Sequence, residues 1–241
     1  MTGPTQNTNS KSIRPVGQSL ALICLVLLYF LVAVAHAGLA PLTTGPDELA
    51  HYEYARFIAD HGRLPQTYSE REQASYKSDQ PPLYHLLTAL PVYLVDPTGP
   101  PFLKRVFDHS RRQLIERTRH SWGLYNTEDE GWPYRAEVLR WHIGRWIAIL
   151  FGAATVVVTF LMAREVFSRT SQRISESANR RMDESAWLPA LGAAAIVAFV
   201  PRFVLTGSML NYETTEAFFA ALFLWMLLRF SDSAIQRPGD T

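Results

Sequence analysis

Cysteine is almost missing from this sequence. Cys24 is the single one in 241 residues, which excludes a disulfide scaffold. Charge of one sign is missing too: 23 Lys+Arg against 22 Asp+Glu leave a formal net charge of +1. With the basic residues scattered rather than striped, nothing favours a nucleic-acid partner. There is no Walker-type loop, zinc-ligand spacing or serine-triad signature to support a soluble enzyme class. What is present is hydrophobicity in an uneven distribution. The chain is 48% hydrophobic yet has a mean hydropathy of only -0.02, because its apolar residues are gathered into a few long blocks. That pattern excludes a disordered or collagen-like chain and leads to an all-α integral membrane protein.

A bilayer core roughly 30 Å thick needs about 20 apolar residues in a helix rising about 1.5 Å each. Residues 18–38 meet this without a charge. Further crossings are expected at 143–163, with Arg145 near the start, at 187–205, with Pro201 and Arg202 near the end, and at 214–230. The remainder divides into a tail (1–17), a long loop (39–142), a basic loop (164–186), a short turn (206–213) and a second tail (231–241). Ala35-His36-Ala37 resembles a signal-peptide cleavage pattern, but the apolar stretch before it exceeds a usual signal core, so it reads as an anchor.

Orientation follows from Lys and Arg beside the crossings. Lys11, Arg14, Arg164, Arg169, Arg173, Arg180, Arg181, Arg229 and Arg237 all fall on one side of four crossings. That side is expected to be the cytoplasm, with both termini in it. The chain is then a multi-pass protein of the cell membrane, in contact with membrane lipid, and the 39–142 loop lies outside.

Just after the first crossing, TTGPDELAHYEYARFIADHG reads as a helix that Thr44 or Gly45 caps, with Pro46 in its first turn and Gly62 and Pro65 at its end. Helical spacing sets Asp47 and His51 on one face, with Glu48 and Tyr52 on the next. Acids at a helix N-terminus are explained in part by the helix dipole, at about 0.3–1 kcal/mol. Two carboxylates at a membrane surface beside an imidazole can also deprotonate an acceptor, or bind a divalent cation through Asp47 and His51. The apolar run beginning QPPLYHLLTALP is too short to span and reads as a re-entrant or interfacial helix, with a core helix of the loop as the alternative. Tyr84 and Tyr93 on it suit the headgroup zone in either case. Residues 104–131 read as a solvated loop with Glu128-Asp129-Glu130 on its surface. Arg145 either snorkels or pairs with a phosphate or with the acidic pair. The turn TGSMLNYETT, between Arg202 and Glu213, is expected to bring the chain back to the level of Asp47.

In their order, the stretches PDELAHYEYARFIADHGRLP, QPPLYHLLTALP, GRWIAILFGAATVVVTFLMAREVF and LTGSMLNYETTEAFFAALFLWMLLR resemble the GT-C superfamily of membrane glycosyltransferases. The nearest likeness is to its protein O-mannosyltransferase and aminoarabinose-transferase branch. The resemblance implies GT-C-like transmembrane helices with a large outer loop containing short helices. It also implies a polyprenyl-phosphate-linked sugar as donor. Asp47 corresponds to the acid placed near the reacting sugar, with Glu48 as its partner. The substrate-contacting set implied is His51, Lys77, Gln80, Tyr84, Arg145, Asn211 and Glu213. Gln80 stands where the family often has a lysine, and Lys77 is nearby. Because the family usually continues through more crossings, the chain is expected to be the N-terminal part of such an enzyme, or to be completed by a second subunit.

The implied reaction is transfer of the sugar to a hydroxyl of a glycan, lipid or protein acceptor on the extracytoplasmic side. Two other classes remain: a non-catalytic membrane partner or remnant, and a small transporter using Arg145, Arg202 and Glu213.

Overall fold

The computed structural model describes residues 13–95, 130–174 and 186–235, and every regular element among them is helical. The orienting charges Lys11, Arg180, Arg181 and Arg237, and the 104–129 segment read as a solvated loop, lie outside the described residues. We number the α-helices α1 (Ile13–Leu39), α2 (Glu48–His61), α3 (Tyr68–Gln73), α4 (Leu83–Leu94), α5 (Ala136–Ile174), α6 (Trp187–Phe199), α7 (Pro201–Gly207) and α8 (Glu213–Ile235). A short 3-10 helix spans Tyr76–Asp79.

Three helical stretches are long and apolar enough to cross a membrane: Gly17–Leu39, Ala136–Thr170 and Glu213–Ser231. The block expected as one crossing at 187–205 is a bent pair, α6 and α7, which together are long and apolar enough for one span but meet at 61°. The break has a local cause. Pro201 has no amide hydrogen to continue the ladder and disfavours helical backbone at the residue before it, and Val200 is extended (φ -60°, ψ 121°). Conversely, α5 runs well past the expected 143–163 at both ends, since AEVLRW and REVFSR hold good helix formers and nothing that stops a helix.

The chain forms two compact units. One takes Met1–Leu31, Ala153–Phe203 and Ala217–Thr241. Its helices are apolar outside as well as inside. Leu20, Leu27, Leu31, Ile196, Phe223 and Leu224 are exposed, while Ala190, Ala194 and Ala198 form a fully buried stripe at helical spacing. Small residues at such a stripe let helix backbones approach closely.

The other unit takes Val32–Gly152 and Val204–Glu216. Here α2 packs along α4, with Tyr54, Phe57 and Ile58 meeting Ala89 and Val92. A second cluster joins Leu42, Tyr52, Tyr84, Trp141 and Leu210. Arg140 donates to the Val95 carbonyl (2.9 Å) at the end of α4. The short α4 is buried on one side, through Tyr84, His85, Thr88, Ala89 and Val92, and open on the other, through Leu86, Leu90, Tyr93 and Leu94. Glu130, expected at the surface, is buried, because its carboxylate accepts from the Leu42 amide at 2.9 Å.

Candidate functional site

The site is assembled around the start of α2. The helix opens at Glu48 with Asp47 as its cap, two or three residues later than capping by Gly45 or Thr44 with Pro46 in the first turn would give. Asp47 is the N-cap residue, and its backbone is left-handed (φ 57°, ψ 10°) with no side-chain cap bond. The carboxylate is therefore not engaged in capping and turns elsewhere. At the far end, Gly62 closes α2 in the left-handed conformation (φ 65°), donating its amide to Ile58 O, as the Gly–Pro punctuation anticipates.

Glu48 and Arg145 form a completely buried ion pair, both with no exposed side-chain surface. Arg145 Nε donates to Glu48 Oε1 at 2.7 Å and Nη2 to Oε2 at 2.9 Å. The guanidinium also donates to the carbonyls of Ala37 (2.6 Å), Ala40 (2.8 Å) and Pro41 (3.0 Å). All five N–H donors of an arginine are thus matched, and the Ala37 carbonyl in the last turn of α1 is satisfied together with two just beyond the helix. Glu48 in turn accepts from the amides of Leu210 (3.0 Å) and Gly45 (3.3 Å). Burial alone would push the Glu48 pKa up, but Arg145 and the donors around it leave it below the ordinary value. Of the roles open to Arg145, pairing with an acid of the 47–48 pair is the one observed, and that acid is Glu48. Glu48, read as the catalytic partner of Asp47, is enclosed and fully bonded instead. It fixes where α1, α2, α5 and the 206–211 turn meet.

Asp47, one residue away, behaves oppositely. Its side chain is 47% exposed. Tyr76 Oη donates to Oδ1 at 2.5 Å, and Lys77 Nζ pairs with Oδ2 at 2.9 Å. The Tyr76 hydroxyl and then the Lys77 ammonium hold the Asp47 pKa below its ordinary value. The corner that delivers both partners is itself constrained. Ser75 has φ 71° and donates its hydroxyl to the Ala50 carbonyl at 2.7 Å. Left-handed backbone at non-glycine residues costs of order 1–3 kcal/mol and is found disproportionately at functional sites. Asp47 itself is one such residue and Ser75 is another.

His51 lies one turn into α2, as its spacing implies, but its ring is buried and bonded to a neighbour the sequence did not indicate. His51 Nδ1 and His85 Nε2 are 3.0 Å apart, with Tyr212 edge-on to His51 at 5.2 Å between centroids. Burial, then Lys77, lowers the His51 pKa to about 4; burial, then His51, lowers that of His85 to about 3. Both are neutral at pH 7. Among the described residues no three His, Cys, Asp or Glu side chains converge as metal ligands.

The other expected contacts divide. Lys77 joins Asp47 directly. Gln80, half-buried, ends the 3-10 helix by donating its amide to Lys77 O at 3.0 Å. Tyr84 is buried and donates to the Gly144 carbonyl at 3.0 Å, so it is a packing residue. The Asn211 amide donates to the Thr206 and Met209 carbonyls, and its oxygen accepts from the Glu213 amide at 2.9 Å. Its side chain is spent on shaping the turn. Glu213 is exposed. Sequence reasoning missed Tyr76, His85 and Tyr212. Tyr212 was the most accessible of these, since it lies inside the turn already expected beside Asp47.

The chain matches no protein-family model, no curated protein and no solved structure.

Proposed function

We propose that the chain is a membrane glycosyltransferase of the GT-C kind, or the N-terminal part of one. In this reading it moves a sugar from a polyprenyl-phosphate donor to an acceptor hydroxyl on the extracytoplasmic side. The carrying observation is the contrast between neighbours: a sealed Glu48–Arg145 pair that fixes position, and an ionised, accessible Asp47 carboxylate beside an ammonium. Position along α5 agrees. Arg145 and Arg164 are 19 residues apart, about 28 Å at 1.5 Å per residue, with only uncharged residues between them. That is close to the thickness of a bilayer core. With the Arg164 end cytoplasmic by the charge rule, the Asp47 site lies at the opposite boundary, where a lipid-borne sugar would be presented.

The acceptor O–H passes its proton to Asp47 as the oxygen attacks the anomeric carbon. The bond from that carbon to the phosphate oxygen breaks, and polyprenyl phosphate leaves with the electron pair. A carboxylate of depressed pKa is a weak base, but Lys77 connects the two halves of the step. When the donor phosphate draws the Lys77 ammonium away, Asp47 loses a cation that holds its basicity down, and the leaving group gains charge stabilisation. One displacement of this kind inverts the anomeric configuration.

The test is transfer from a radiolabelled polyprenyl-phosphate sugar by membranes containing the chain. Asp47→Asn should lower the rate by about 10²–10⁴-fold, the usual range for a lost general base, with insertion and thermal stability unchanged. Transfer at the parent rate by Asp47→Asn would leave Asp47 a purely structural residue and defeat the assignment.

A further inference from the structure

At the other end of α5 lies a cleft that the proposed transfer does not use. It has a volume of about 310 Å³ and is lined by Leu161, Arg164, Glu165, Ser168, Trp225 and Arg229, from α5 and α8. Its charges are unbalanced. Glu165 is neutralised within its own helix by Arg169 (3.1 Å), and Arg169 also donates to the Leu228 carbonyl at 2.7 Å, tying α5 to α8. Neither Arg164 nor Arg229 is ion-paired with an acid whose side chain is described, and both are exposed. The Arg229 guanidinium lies 5.4 Å from the centre of the Trp225 ring, which orients it, and the buried Trp225 Nε1–H has no acceptor among the described residues. Ser168 also lines the cleft.

Depth along the helices decides what such a cleft can hold. Arg164 is the first charge after eighteen uncharged residues, 146–163, and Arg229 the first after twelve, 217–228. Both arginines therefore stand at the apolar-to-polar boundary of their helices, with Trp225 one turn inside, where indoles favour the interface. An arginine pair at that depth, with a donor-rich pocket open between two helices, matches a phosphate ester whose hydrocarbon lies alongside the apolar surfaces below it. We infer that this cleft binds the phosphate headgroup of an anionic phospholipid, with Arg164 and Arg229 as the charge-bearing ligands. The site is separate from Asp47 and rests on the membrane reading above, but not on the transfer reaction.

The experiment uses the full chain, extracted from bilayers of equal phosphatidylglycerol and phosphatidylcholine, with the co-purifying lipids quantified by mass spectrometry. Phosphatidylglycerol should be enriched, and Arg164→Gln with Arg229→Gln should reduce the enrichment roughly fivefold per arginine. Arg63→Gln with Arg71→Gln removes the same charge from exposed positions elsewhere and should change nothing. Ser168→Leu keeps both arginines but fills the cleft. It should also abolish the enrichment, which diffuse surface attraction would not predict, and it guards against misfolding of the arginine variant. Release of enriched lipid by millimolar inorganic phosphate would identify a soluble phosphate as an occupant of the same pocket, and resistance to it would identify the lipid. Equal lipid ratios in the parent and the two cleft variants would overturn the inference. Alkaline extraction separates the possible failures. A chain released from the membrane fails both readings, whereas an inserted chain without lipid preference fails only this one. Asp47→Asn, inactive in transfer, should retain the parent lipid ratio.

Discussion

Adjacent acidic residues of the same charge do opposite work here. Glu48 is enclosed, and removing one member of a buried ion pair leaves the other unpaired, at a cost of about 3–5 kcal/mol. Arg145→Met should therefore lower the unfolding midpoint sharply and reduce membrane yield, and Glu48→Gln should do so too, since two of the five guanidinium bonds would lose their charged acceptor. Asp47→Asn should leave the midpoint nearly unchanged, because the Asp47 carboxylate is half exposed and water screens its pairing. A melting curve for each in the same detergent separates the buried anchor from the half-exposed carboxylate. The His51–His85 pair gives a pH signature. Unfolded, each titrates near 6.5; folded, they titrate at about 4 and about 3. Between pH 6.5 and 4 the unfolded chain binds more protons, so stability should fall as pH falls through that window. His51→Gln with His85→Gln should flatten the slope of midpoint against pH. An unchanged slope would show that other groups govern it.

At the scale of elements, close approach replaces charge as the deciding factor. A Cβ added at Gly144 would lie 2.7 Å from Leu210 Cγ, nearer than ordinary packing allows. Gly144→Ala should cost about 1–3 kcal/mol through overpacking, and Leu210→Ala in the same chain should recover part of that loss. A fully additive pair, measured by denaturant unfolding, would refute the contact. The elements also show what the sequence made legible. Apolar block length located α1, α5 and α8, and the Gly62–Pro65 punctuation located the end of α2. The residues between α7 and α8 return to the start of α2, where the Leu210 amide donates to Glu48, since so short a connection can reach little else. The α6–α7 break was less legible, since hydropathy averages over a proline. The partners of Asp47 were partly hidden. Lys77 was named for its nearness to the Pro-Pro pair, but Tyr76 reaches Asp47 through the backbone corner at Ser75, and no periodicity encodes that. Likewise nothing in the spacing of His51 and His85 announces a pair 34 residues apart.

For the whole molecule, everything depends on which side of the membrane the Asp47 surface occupies. The orienting arginines beside the crossings predict one answer, and the proposed transfer requires the same one, since its lipid-borne donor would be presented outside the cytoplasm. Thiol labelling in intact cells decides it. Cys24 is the only native cysteine, so Cys24→Ser gives a blank background. Glu72→Cys, exposed on α3, reports the Asp47 side, and Thr170→Cys, exposed near the end of α5, reports the other. A membrane-impermeant maleimide should modify position 72 in intact cells and position 170 only after lysis. Labelling of 170 but not 72 in intact cells would place the carboxylate in the cytoplasm, away from any outward-facing lipid-linked sugar, and would contradict the proposed catalysis.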